Sequence, residues 1–151
     1  MQALLTAIVV WLSASFDLPA IYESPRVEFV SAAQMTAHRY KSLLPAQRMD
    51  IANALGNEGE SDIVAVYNDD TKTIYLPDGW AGRTPAELSV LVHEMVHHLQ
   101  NVAKLTHECP QAREKLAYKA QDKWLALFGT SLEREFDLDG FSLLAKTACL
   151  G

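Results

Sequence analysis

From Thr84 to Lys104 the chain reads as one long helix. Leu88, Leu91, Val92, Met95, Val96, Leu99 and Val102 recur at three-and-four spacing, which lays an apolar stripe along one face of a helix. Its start is written just upstream: Thr84 as N-cap, Pro85 at the first helical position and Glu87 as the acidic residue of a capping box. A second helical run goes from Pro110 through Gln111 to Phe128 and is closed by Gly129. Further back, Ile63 to Tyr67 and Thr73 to Leu76 are β-branched and aromatic runs on either side of Asn68-Asp69-Asp70-Thr71-Lys72, a hairpin pattern. Val27 to Val30 is a candidate strand, Ala32 to Leu44 a helix stopped by Pro45, and Gln47 to Leu55 another ending at Gly56, with Asn57 to Asp62 a polar loop. Pro77-Asp78-Gly79-Trp80 reads as a turn, with Trp80 either packed there or facing a cleft. The closing segment, Leu132 to Leu150, is apolar at helical spacing around Phe136, Phe141, Leu143 and Leu144, with a break at Asp139-Gly140.

On the long helix stands His93-Glu94-Met95-Val96-His97. Residues four apart in a helix lie almost above one another, so both imidazoles can reach one metal ion, while Glu94 points about 100° away, toward a water on that ion. His98 reads as a neighbour of the motif. A catalytic zinc site takes three protein ligands and keeps one position open. The metzincin continuation would need a glycine where Gln100 stands and a histidine where Ala103 stands, and is rejected. A two-metal carboxylate bundle needs a second Glu-x-x-His, and only Glu94 to His97 has that spacing. The remaining source is the next helix. If the chain turns back near Lys104, the rise of about 1.5 Å per residue puts Glu114 within one helical turn of the height of His97. Asp122 is a second candidate at comparable height, with a shorter side chain and a position about 80° further round the helix.

His93-Glu94-Met95-Val96-His97 followed after a short loop by Glu114-Lys115-Leu116-Ala117-Tyr118 resembles the gluzincin branch of the zinc metallopeptidases. The run from Ala86 to Trp124 is also similar to small bacterial zincin-like proteins. The resemblance implies zinc as cofactor, His93, His97 and Glu114 as ligands, and Glu94 as general base. It also implies an extended peptide bound along a strand just before the motif helix, at the upper edge of the cleft; the alternative is a hairpin that only covers the core. The gap between His97 and Glu114 is shorter than in the larger gluzincins. Tyr118 stands where their supporting aspartate is common, and either orients a ligand histidine or faces substrate. Asp137 and Asp139 are further candidates to support a ligand histidine.

The chain has 151 residues, 49% hydrophobic and 21% charged, the balance of a single globular domain with a sizeable core. A net charge of -6 without a run of Lys or Arg argues against nucleic acid and anionic membrane surfaces as partners. Ala3 to Leu12 is apolar, but the first basic residue is Arg26 and the run is too short to cross a bilayer, so it reads as a buried helix ending near Ser15. Cys109 and Cys149 lie outside any Cys-x-x-Cys spacing. They either form a disulfide, which would point to an exported or periplasmic protein, or are two buried thiols of a cytoplasmic one.

The expected architecture is therefore α+β and zincin-like, a single domain over 1–151 with helices around a small, mainly antiparallel sheet. The expected reaction is hydrolysis of a peptide bond, with Glu94 taking the proton of a zinc-activated water and Tyr118 a candidate for the oxyanion. Two alternatives stand beside it: a zinc-holding module that captures an extended peptide without cleaving it, and hydrolysis of a non-peptide amide.

Overall fold

A computed structural model describes residues 1–20, 23–40 and 65–149. Among these it is α+β, with six helices and one three-stranded sheet. The chain divides into two compact units, one of 1–24 with 82–151 and one of 25–81. The expected helix at Gln47–Leu55, the loop at Asn57–Asp62 and the strand residues Ile63 and Val64 fall outside the described residues.

The smaller unit carries the sheet. Strands β1 (Arg26–Val30), β2 (Val66–Asn68) and β3 (Thr73–Pro77) lie in the order β1-β3-β2. The expected hairpin is present: β2 pairs antiparallel with β3, Val66 opposite Tyr75 and Asn68 opposite Thr73. Its turn is held by the Asn68 side-chain oxygen, which accepts from the amides of Asp70 and Thr71 at 2.9 and 3.2 Å. The sheet is mixed rather than mainly antiparallel, because β1 pairs with β3 in parallel over the longer ladder, Arg26 with Thr73 through Val30 with Pro77. A parallel pair needs a long crossover, and here it contains α2 (Ala32–Arg39). That helix opens with a capping box between Ser31 and Gln34 and runs to Arg39; residues 41–44 of the expected helix lie outside the described residues. Val30, Met35, Val66 and Tyr75 form its core. Trp80 packs against Phe29 with ring centroids 6.3 Å apart.

β3 immediately precedes the motif helix in sequence. It is the central strand, with partners on both sides at Thr73–Tyr75, so it cannot take up an added peptide strand there. Among the described residues the outer strands are β1 and β2.

The larger unit is helical. α1 (Gln2–Phe16) buries Leu5, Ile8, Val9 and Leu12 and packs on α3 (Pro85–Val102). α3 packs in turn on α4 (Pro110–Ala126), against which α5 (Leu132–Phe136) and α6 (Gly140–Thr147) lie. No helix among the described residues is long and apolar enough to cross a membrane.

α3 begins as its sequence requires. Thr84 Oγ1 accepts from the Glu87 amide at 3.1 Å, but the glutamate carboxylate reaches past the cap and accepts from the Gly82 amide at 3.0 Å. From Ser89 to Gln100 every residue is buried, so α3 is a core helix rather than a half-exposed amphipathic one. Leu91, Val92, Met95, Val96 and Leu99 are wholly inaccessible, each stabilising the fold by about 2 kcal/mol through apolar burial. The helix ends in a Schellman arrangement: Leu105 donates to the Gln100 carbonyl, Lys104 to that of Asn101, and Lys104 takes the left-handed conformation at φ 55°. α4 closes the same way, with Gly129 at φ 76° and Thr130 donating to Leu125. The connection from the end of α3 to the start of α4 brings α4 back along α3, and a disulfide between Cys109 and Cys149, Cα atoms 5.8 Å apart, ties the start of α4 to the segment after α6.

Candidate metal centre

A core helix that buries Ser89, His93, Glu94, His97, His98 and Gln100 must satisfy each polar group inside the protein. His98 is wholly buried and donates from Nε2 to the Glu23 carbonyl at 2.6 Å, which confirms it as a structural neighbour of the motif. His93 and His97 turn the other way, toward α4. Their rings meet edge to face with centroids 5.0 Å apart, as the four-residue spacing dictates.

Glu114, in the second turn of α4, faces both rings. Its Oε2 lies 2.8 Å from His93 Nε2 and its Oε1 3.1 Å from His97 Nε2. One ligand atom from each of the three residues falls within a span of 4.8 Å, a grouping that could hold a metal ion. Burial pushes the Glu114 carboxyl up, but the hydrogen bonds from His93 and His97 and their positive charge outweigh it and hold the group well below the ordinary carboxylate range. The donor chemistry suits a borderline-soft divalent ion: two imidazole nitrogens and one carboxylate, leaving a tetrahedral ion one further position.

The Nδ1 side of each ring is held as well. His93 Nδ1 is 2.8 Å from Gln121 Oε1, and Gln121 Nε2 donates at 3.2 Å to Ser89 Oγ. His97 Nδ1 is 2.9 Å from Gln100 Oε1, and Gln100 Nε2 donates across to the Arg113 carbonyl at 3.2 Å. Arg113 returns the link by donating to the His97 carbonyl, so the two helices are stitched together beside the candidate ligands. Sequence reasoning missed both glutamines. The signal was there: Gln121 follows Glu114 and Gln100 follows His93 by two helical turns, so each shares a face with a ligand.

The other candidates divide: Tyr118 and Glu94 lie beside His93, and the aspartates fall elsewhere. Tyr118 packs its ring edge-on against His93, centroids 4.6 Å apart, one turn beyond Glu114. Glu94 is on α3 beside His93, 7% exposed. Asp122 is turned to the next helix, its carboxylate accepting from the Leu132 amide at 2.9 Å, and takes no part in the cluster. Asp139 caps α6 through the Ser142 amide at 2.7 Å, and Asp137 ends α5 in the left-handed conformation. Neither supports a ligand histidine; those positions belong to Gln100 and Gln121.

Comparison with curated proteins and with solved structures finds no match to this chain. The family described as a domain of unknown function, DUF6647, matches residues 1–149, and the chain, lying almost entirely within that match, belongs to this family.

Proposed function

We propose that this protein is a zinc-dependent metallopeptidase of the gluzincin type, with the metal on His93 Nε2, His97 Nε2 and the Glu114 carboxylate. The observation that carries the reading is the convergence of these three groups from two packed helices, each ring already turned with Nε2 toward the shared carboxylate. When bound there, zinc supplies Lewis-acid polarisation of a scissile carbonyl and lowers the pKa of water toward neutrality.

The chain supplies the rest. Glu94 sits one position from His93, about 100° round the helix and screened from bulk water, and its carboxylate takes the proton of the attacking water and delivers it to the leaving amine. Tyr118 steadies the His93 ring by edge contact and is the candidate to stabilise charge on the carbonyl oxygen. The substrate is a peptide or protein; an acidic chain at -6 is a poor match for nucleic acid. The Cys109–Cys149 bridge supports an oxidising compartment, exported or periplasmic.

The test is elemental analysis followed by a peptide-library screen. One zinc per chain is expected in wild type and in Glu94→Gln, with hydrolysis only in wild type and the metal lost in Glu114→Ala. Absence of metal from wild type supplied with zinc would withdraw the reading. Zinc without cleavage of any peptide would leave a zinc-holding binding module.

A further inference from the structure

The two glutamine relays run in one direction only. Gln100 Nε2 lies against the Arg113 carbonyl, a group that can only accept. The amide therefore cannot turn over, its Oε1 must face His97, and His97 Nδ1 must carry the hydrogen. The second relay is one step longer. Ser89 Oγ gives its single hydrogen to the Ala86 carbonyl at 2.7 Å, so toward Gln121 it is an acceptor. Gln121 Nε2 must then donate to it, Gln121 Oε1 faces His93, and His93 Nδ1 carries the hydrogen. Each relay ends on a backbone carbonyl, and in both the direction is set by that end.

A neutral imidazole with its hydrogen on Nδ1 presents a lone pair at Nε2. In that form both lone pairs point at oxygens of one ionised carboxylate, at 2.8 and 3.1 Å. Acceptor facing acceptor is repulsive, and a positive charge held between them turns both contacts into attractions. In the metal-free protein hydrogens on both Nε2 atoms do so, as the hydrogen bonds to Glu114 described above, and a single divalent cation in their place does so for both at once.

We infer that Gln100 and Gln121 are positioning residues that lock His97 and His93 in the tautomer with Nε2 free to bind metal, through relays anchored on the Arg113 and Ala86 carbonyls. The inference rests on the metal-site reading and adds the residues that set ligand orientation. Neutral amides hold these rings, so the relays contribute no charge of their own to the site.

The test uses the full chain with Gln100→Leu and Gln121→Leu, which remove both polar ends at similar size, and Gln100→Glu and Gln121→Glu, which keep an acceptor for Nδ1–H. Two readouts are taken: long-range proton–nitrogen NMR of the imidazoles in zinc-free protein with both rings neutral, and zinc affinity by chelator competition. Wild type is expected to show hydrogen on Nδ1 of both rings. Gln100→Leu releases His97 alone into a tautomer mixture and Gln121→Leu releases His93 alone, each weakening zinc binding by about 10- to 100-fold. The glutamate variants keep the Nδ1–H form and bind zinc more tightly than the leucine variants, which separates positioning from simple loss of packing. An Nε2–H ring in wild type, or leucine variants with both rings unchanged and wild-type zinc affinity, would overturn the inference. Failure of the underlying metal reading shows separately, as wild type that takes up no zinc, while the tautomer measurement still decides the role of the glutamines.

Discussion

Removing the Cys109–Cys149 bridge should cost much of the stability of the helical unit. The closed loop spans 40 residues and contains α4, α5 and α6. The chain-entropy relation for a loop of that length gives about 4 kcal/mol, to be set against a total of about 5 to 15 kcal/mol for an ordinary domain. Alanine is the replacement to use. Cys109 is the N-cap of α4 and makes no side-chain cap bond; a serine there would introduce one worth about 1 kcal/mol and mask part of the loss. The assay is urea unfolding of wild type and of the Cys109→Ala, Cys149→Ala double variant. It is followed by tryptophan fluorescence, since Trp11 and Trp124 pack edge to face at 5.2 Å in this unit. The expected result is a loss of about 2 to 5 kcal/mol, together with weaker metal binding, because Glu114 sits early in the helix that the bridge fixes. Two titratable thiols in native, non-reduced wild type, or a loss under about 1 kcal/mol, would refute the reasoning.

Lys104→Gly should raise stability by about 1 kcal/mol, seen as a higher melting temperature, because a non-glycine residue now occupies the left-handed position that ends α3. Thr84→Ala should lower stability by about 1 kcal/mol in the same measurement, through loss of the cap on the Glu87 amide. Among the described residues Trp124 Nε1 is buried without a hydrogen-bond partner, so Trp124→Phe should lose less in urea unfolding than ordinary aromatic trimming, and a loss above about 2 kcal/mol would contradict that account. The Asp139 carboxyl is held below its ordinary value chiefly by the Ser142 backbone amide, so its contribution to α6 is full above pH 3.8 and is lost as pH falls through the lower folded value. Asp139→Asn keeps the cap without the titration, and the protection of the Ser142 amide relative to its intrinsic exchange rate should no longer fall in acid in that variant.

The motif helix was legible because its signals are local: the Thr84-Pro85 start, the three-and-four stripe and a stop near Lys104 all coincide within two residues of the observed bounds. Glu114 could be found because a short reversal between helices leaves little freedom in height. The antiparallel hairpin was legible for the same reason. The parallel β1–β3 ladder was not, since five extended residues carry no mark of strand direction and the pairing depends on a crossover far along the chain. The glutamines that hold the histidines were passed over because carboxylates are the expected partners of ligand imidazoles, and Asp137 and Asp139 drew attention away from Gln100 and Gln121. Asp122 had a suitable height but serves the start of α5, a role visible only once the chain beyond Gly129 is seen to fold back.

All the groups that make the candidate metal centre, from Ser89 to Gln121, belong to one helical hairpin. Such a site has low contact order: it requires closure of a short loop, an event of roughly 10 to 100 ns, and no pairing of distant strands. The ligand cluster can thus assemble early, ahead of the slower parallel ladder of the sheet. An ion captured at that stage would stabilise the α3–α4 hairpin before the remainder of the chain is in place, and metal supply during folding would then govern the yield of native protein.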